Sequence, residues 1–146
     1  MSLKPRVYPI KILLVEDNPG DVRLVKEAIN DCGQPVELAI TRDGEEAMEF
    51  LNSLIGRARD DFPTLILLDL NLPRKNGREV LAEIKNDPIL RTIPVIVFTA
   101  SQAESDILAA YDLHANCYIT KPIDLDDFLR TIHTIVGFWL DLVQLP

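Results

Sequence analysis

The 146-residue sequence predicts an α/β fold: a five-stranded parallel sheet with helices on both faces. Three observations carry that expectation. Short apolar runs alternate with amphipathic stretches along the chain. The connections between them are short. The runs Ile12–Val15, Leu65–Leu68 and Val95–Phe98 are continuously apolar, as strands buried on both faces are. Each strand–helix–strand crossover is then right-handed.

The elements follow in order. Ile10–Val15 is the first strand. Asn18 caps a helix from Pro19, whose ring suits the first helical position, to about Cys32, with Gly33 as the stop. Val36–Ile40 is a second strand, more exposed because Glu37 interrupts it. Asp43-Gly44-Glu45-Glu46 is an Asp-type capping box opening a helix to about Leu54. A polar loop runs from Gly56 to Pro63, and Thr64–Leu68 is the third strand. Asn76-Gly77 precedes a helix to about Asn86, and Pro94–Phe98 is the fourth strand. Ser101-Gln102-Ala103-Glu104 reads as a capping box before a helix ending near Asp112. Asn116–Thr120 is the fifth strand, and Asp124 caps the last helix. With no repeat, low-complexity run or linker, residues 1–137 form one domain, 138–146 are an apolar extension, and no output domain is expected.

Composition excludes several function classes. A net charge of −8 repels nucleic-acid phosphates and anionic membranes alike. Cys32 and Cys117 offer neither a disulfide framework nor zinc-ligand spacing and read as small buried hydrophobes. The N-terminus lacks a signal-peptide core, and the apolar runs are too short to span a bilayer, so a cytoplasmic protein is expected.

In parallel α/β sheets, ligands bind beyond the carboxyl ends of the strands. Glu16 and Asp17 follow the first strand, Asp69 the third, Thr99 the fourth, and Lys121-Pro122 the fifth. The fold would gather them on one rim. Three carboxylates crowded together disfavour their own ionisation. Lys121 and one divalent cation would bring their sum to neutrality. Mg²⁺ suits such oxygen donors, and the main-chain carbonyl of Asn71 is a further candidate ligand. The chemistry that fits is phosphoryl transfer onto ionised Asp69, with Lys121 and the metal neutralising charge and Thr99 bonding the new phosphate. A cis Lys121–Pro122 bond is a device that would aim the lysine inward.

The stretches "ILLVEDNPGD", "LILLDLNLPRKNG", "VIVFTAS" and "YITKP" together resemble the response-regulator receiver family of two-component signalling. The resemblance implies a flavodoxin-like sheet of order 2-1-3-4-5. It implies Asp69 as phosphoacceptor, Asp17 as direct metal ligand, Glu16 acting through water, and Asn71 giving its carbonyl. Thr99 and Lys121 resemble the family's hydroxyl and lysine at the phosphate site. Tyr118 resembles its switch aromatic, moving with Thr99; an immobile core aromatic is the equal alternative. Glu16 departs from the commoner Asp. More narrowly, "VEDNPGDVRLVKEA", "KNDPILRTIPVIVFTAS" and "GFWLDLVQLP" resemble single-domain regulators paired with cyanobacterial phytochrome kinases, implying a histidine-kinase partner and a homodimer.

The last helix shows Leu125, Phe128, Leu129, Ile132, Ile135 and Val136 at core spacing. Past Gly137, apolar groups surround the axis, and Phe138, Trp139, Leu142 and Val143 are read as an interface. Arg74 and Lys75 read as solvated loop charges rather than steering groups, and His114 and His133 lack metal-ligand spacing. The expectation is a phosphorylation switch, not an enzyme, whose output is binding to an unidentified downstream protein. Two rivals stand beside it. One is a phosphorylation-independent dimeric adaptor of a kinase. The other is an aspartate-based phosphatase, disfavoured because Asn71 stands where a second acid is needed.

Overall fold

The computed structural model describes residues 10–33 and 35–139. In chain order these form β1 (Ile10–Val15), α1 (Pro19–Asp31), β2 (Val36–Thr41), α2 (Gly44–Ser53), β3 (Leu65–Leu68), α3 (Gly77–Asn86), β4 (Val95–Thr99), α4 (Glu104–Asp112), β5 (Cys117–Thr120) and α5 (Leu125–Gly137). Every strand pairing is parallel, and the sheet order is β2-β1-β3-β4-β5. The order expected from the resemblance is the one found.

Strand alternation builds two cores from one sheet. Ile10, Ile12, Leu14, Leu65, Leu67, Ile96 and Phe98 face α1 and α5, where they meet Val22, Val25, Phe128 and Ile132. Leu13, Val15, Ile66, Leu68, Val95 and Val97 face α2, α3 and α4, where they meet Met48, Leu51, Val80, Leu81 and Ala110. A side chain buried this completely contributes roughly 1.5–3 kcal/mol. Edge-on packing of Phe98 against Phe128, with ring centroids 5.2 Å apart, joins sheet to α5. Among the described residues no helix is long and apolar enough to cross a membrane.

Four helices start where the sequence placed them, three of them on caps read in advance and α3 on Asn76. Asn18, Asp43, Asn76 and Asp124 each accept, through a side-chain oxygen, the amide three residues on, at 3.1, 2.8, 3.0 and 3.0 Å. The fifth differs. The cap position of α4 is Ala103, with no side-chain bond. Ser101 was expected there, but its hydroxyl accepts the Ala103 amide and donates to Asp106 in the first turn of α4. Strand ends move by a residue. Thr41 and Thr99 join β2 and β4, and β5 begins at Cys117 because the Asn116 side chain accepts the Val95 amide. The loop from Gly56 to Pro63 holds a 3-10 turn, Arg59–Asp61. Both cysteines are free and half-buried rather than fully buried. No peptide bond among the described residues is cis, so Lys121 faces inward without the cis proline suggested for it.

Candidate functional site

The sheet register sets the site. Val15, Leu68 and Val97 lie in one row across β1, β3 and β4. Just beyond that row the ladder continues into the loops. The Glu16 amide donates to the Thr41 carbonyl (3.0 Å), the Asp69 amide to Val15 (3.0 Å), and the Lys121 amide to Thr99 (2.7 Å). These bonds fix the backbone from which Glu16, Asp69 and Lys121 project. Asn18, besides capping α1, donates its amide to Glu16 Oε2 at 3.1 Å and so fixes the acid's other end.

The expected polar residues converge. Glu16, Asp69 and Thr99 are buried, at 2%, 5% and 0% exposure. Carboxylate oxygens of Glu16, Asp17 and Asp69 lie within 4.8 Å of one another, and Asp17 is the exposed member. Thr99 Oγ1 donates to Asp69 Oδ1 at 2.7 Å, and the Asn71 amide donates to the same oxygen at 3.1 Å. Asp69 Oδ2 accepts from Lys121 Nζ at 3.1 Å. Thr99, expected to meet a phosphate, thus holds the carboxylate itself.

Lys121 reaches further than anticipated. Its Nζ also meets Glu16 Oε1 at 2.5 Å and Asp21 Oδ2 at 2.9 Å. Asp21 escaped the sequence reading because a first-turn acid on α1 already had an explanation in helix capping and the helix dipole. The balance of charge changes accordingly. Three carboxylates meet the lysine and Asp17 makes a fourth in the site, so one divalent cation leaves the cluster one charge negative rather than neutral.

Electrostatics follow from burial and these contacts. Burial raises the Glu16 carboxyl from 4.5 to about 7; the Asp69 charge adds to the rise, and the Lys121 bond opposes it. Burial alone would lower the Lys121 ammonium, but its bonds to Glu16 and Asp21 outweigh that and raise it. The lysine is therefore a fixed positive charge, while the Glu16 carboxyl takes up a proton more readily than a free one. A divalent cation among Glu16, Asp17 and Asp69 fits this donor set: oxygen only, crowded, with one open, solvent-facing ligand.

Gly77 also belongs to the site. A Cβ there would collide with the Asp69 carbonyl oxygen and the Leu70 Cα, so only glycine lets α3 start this close to the strand tip. Tyr118 is half-buried, its ring packed against the α2–α3–α4 core, and its hydroxyl donates to the Ser101 carbonyl at 2.8 Å. The ring is packed, and its polar tip is tied to the loop that follows Thr99. Arg78 pairs with Asp106, extending that loop network to α3. Arg74 reaches Asp43 and Glu45, each at 3.7 Å, and Lys75 pairs with Glu83 at 2.6 Å. These are surface ion pairs, as the solvated reading of both implied. His114 and His133 are exposed. Of the four residues read as an interface, Phe138 is 49% exposed and Trp139 packs against the α1–α5 core. Leu142 and Val143 lie outside the described residues.

Comparison with known proteins agrees with this geometry. The family model described as the response regulator receiver domain matches residues 12–133. Response regulator Rcp1 of Synechocystis sp. is 51% identical over 138 residues, covering 94% of each chain. A crystal structure of the phosphorylated cyanobacterial phytochrome response regulator RcpA superposes with a TM-score of 0.87 at 50% identity, covering 94% of this chain and 99% of that one. The Mn²⁺-bound form of Rcp1 superposes with a TM-score of 0.85, again at 50% identity, covering 94% of this chain and 99% of that one.

Proposed function

The chain belongs to the response regulator receiver family, and from that premise we propose that it is a phosphorylation switch with Asp69 as phosphoacceptor. The phosphodonor is a phosphohistidine of a kinase. An Asp69 carboxylate oxygen attacks phosphorus, the P–N bond breaks, and the departing imidazole takes a proton from solvent. The observation that carries the reading is the placement of Asp69, a buried carboxylate held between Thr99 at 2.7 Å and Lys121 at 3.1 Å beside two further acids.

Mg²⁺ is the metal proposed for Asp17, Asp69 and the Asn71 carbonyl, with Glu16 acting through water; when bound it supplies charge neutralisation at the transferring group. The Mn²⁺-bound form of Rcp1 supports a divalent ion in this family. The chain's own residues do the rest. Lys121 donates to the incoming phosphoryl oxygens. Thr99 transfers its hydrogen bond from Asp69 to the phosphoryl group, drawing the loop through Ser101 with it, and Tyr118 follows through its bond to Ser101. The likeness to the phytochrome response regulator RcpA supports a phytochrome-type histidine kinase as donor, and the cytoplasm is the compartment proposed for that exchange. Output is protein binding, and the exposed Phe138 next to Trp139 supports a homodimer built on the end of α5.

Phosphotransfer from a phytochrome-type kinase, followed with labelled phosphate, tests this reading. Label should reach the wild-type chain and fail to reach Asp69→Asn. A chain that bound the kinase equally well in both forms, with no label and no response to beryllofluoride and Mg²⁺, would instead be a phosphorylation-independent adaptor.

A further inference from the structure

Lys121 has three N–H donors, and three carboxylates take them: Glu16 at 2.5 Å, Asp21 at 2.9 Å and Asp69 at 3.1 Å. A new ligand must compete with these acids for the ammonium protons. Two of these acceptors belong to the group of acids that converges on a cation. Asp21 does not. It sits on the first turn of α1, outside the metal-binding cluster, and is closer to the lysine than Asp69 is.

On the phosphoacceptor reading above, we propose that Asp21 is a positioning residue that restrains Lys121 and weakens its grip on a phosphoryl group at Asp69. Two effects act in the same direction. Asp21 competes for an ammonium proton that the phosphoryl oxygens need. It also places a fourth negative charge beside a group that itself carries more negative charge than a carboxylate. For a cation the sign reverses. Asp21 adds attraction for a divalent ion and shares the lysine with Glu16 and Asp69, so the lysine competes less with a cation for their oxygens.

Asp21 therefore sets a compromise between holding the metal and holding the phosphate. Removing it should shift the two affinities in opposite directions. Loss of a merely structural contact would lower both.

The test uses Mg²⁺ alone and then beryllofluoride at saturating Mg²⁺, each titrated by calorimetry into the whole chain. Asp21→Asn should bind beryllofluoride about threefold to tenfold more tightly than wild type and Mg²⁺ about twofold to threefold more weakly. Asp21→Ser should move both affinities the same way as Asp21→Asn, and Asp21→Glu should restore both to within about twofold of wild type. Unchanged or weaker beryllofluoride binding in Asp21→Asn and Asp21→Ser, in protein that melts as wild type does, would overturn the proposal. Wild type that takes up no beryllofluoride, or an Asp69→Asn form that takes it up equally, would overturn the phosphoacceptor reading itself. The two failures are thereby distinguishable.

Discussion

Folding opposes the ionisation of Glu16. Its carboxyl stands at about 7 in the folded chain against 4.5 in solution, chiefly through burial. A carboxyl raised by folding takes up a proton more readily in the native state than in the unfolded one. Its favourable contribution is complete below 4.5 and is lost as pH climbs through about 7. Replacing it by glutamine removes that dependence. In chelator, the urea midpoint of Glu16→Gln should gain on that of wild type between pH 5 and pH 8. Sequence alone pointed to Glu16, Asp69, Thr99 and Lys121, because each follows a strand at the rim where such sheets bind ligands. It missed Asp21, whose helix position has a sufficient local explanation. A side chain that reaches across from a neighbouring helix leaves no periodic trace.

At the level of elements, the site depends on how closely α3 approaches β3. The Gly77 amide bonds the Leu70 carbonyl at 3.0 Å, and any Cβ at Gly77 would strike the backbone of Asp69 and Leu70. Gly77→Ala should cost about 1–3 kcal/mol or more in urea unfolding, and should weaken beryllofluoride binding further, since the Asp69 backbone must shift. Four helix starts were readable because asparagine or aspartate with a free acceptor declares a cap. The start of α4 was misread for an equally physical reason. Ser101 has the right chemistry, but its hydroxyl is engaged by Asp106, and α4 begins at Glu104 without a side-chain cap. That helix buries only Ala110 and leaves Leu108 and Tyr111 exposed. Its pattern was the weakest, and its boundary the hardest to place.

Over the whole molecule, one sheet serves two cores and one rim. The acids on the rim repel one another until a cation joins them, so Mg²⁺ should stabilise the fold. At one hundred times its dissociation constant the gain is about 2.7 kcal/mol. Urea unfolding with and without Mg²⁺ should show this gain, and Asp17→Asn should remove most of it. The strand order was not legible in apolar periodicity, which gives strands and helices without saying which strands are neighbours. It came with the family resemblance, and the pairing of β1 with both β2 and β3 agrees.

The amide of Asp69 hangs on the carbonyl of Val15, so the acceptor belongs to the same ladder as the central strands. Its main chain is therefore tied to the middle of the sheet. A damaged core elsewhere should therefore thin the population of competent molecules and leave each survivor as reactive as before.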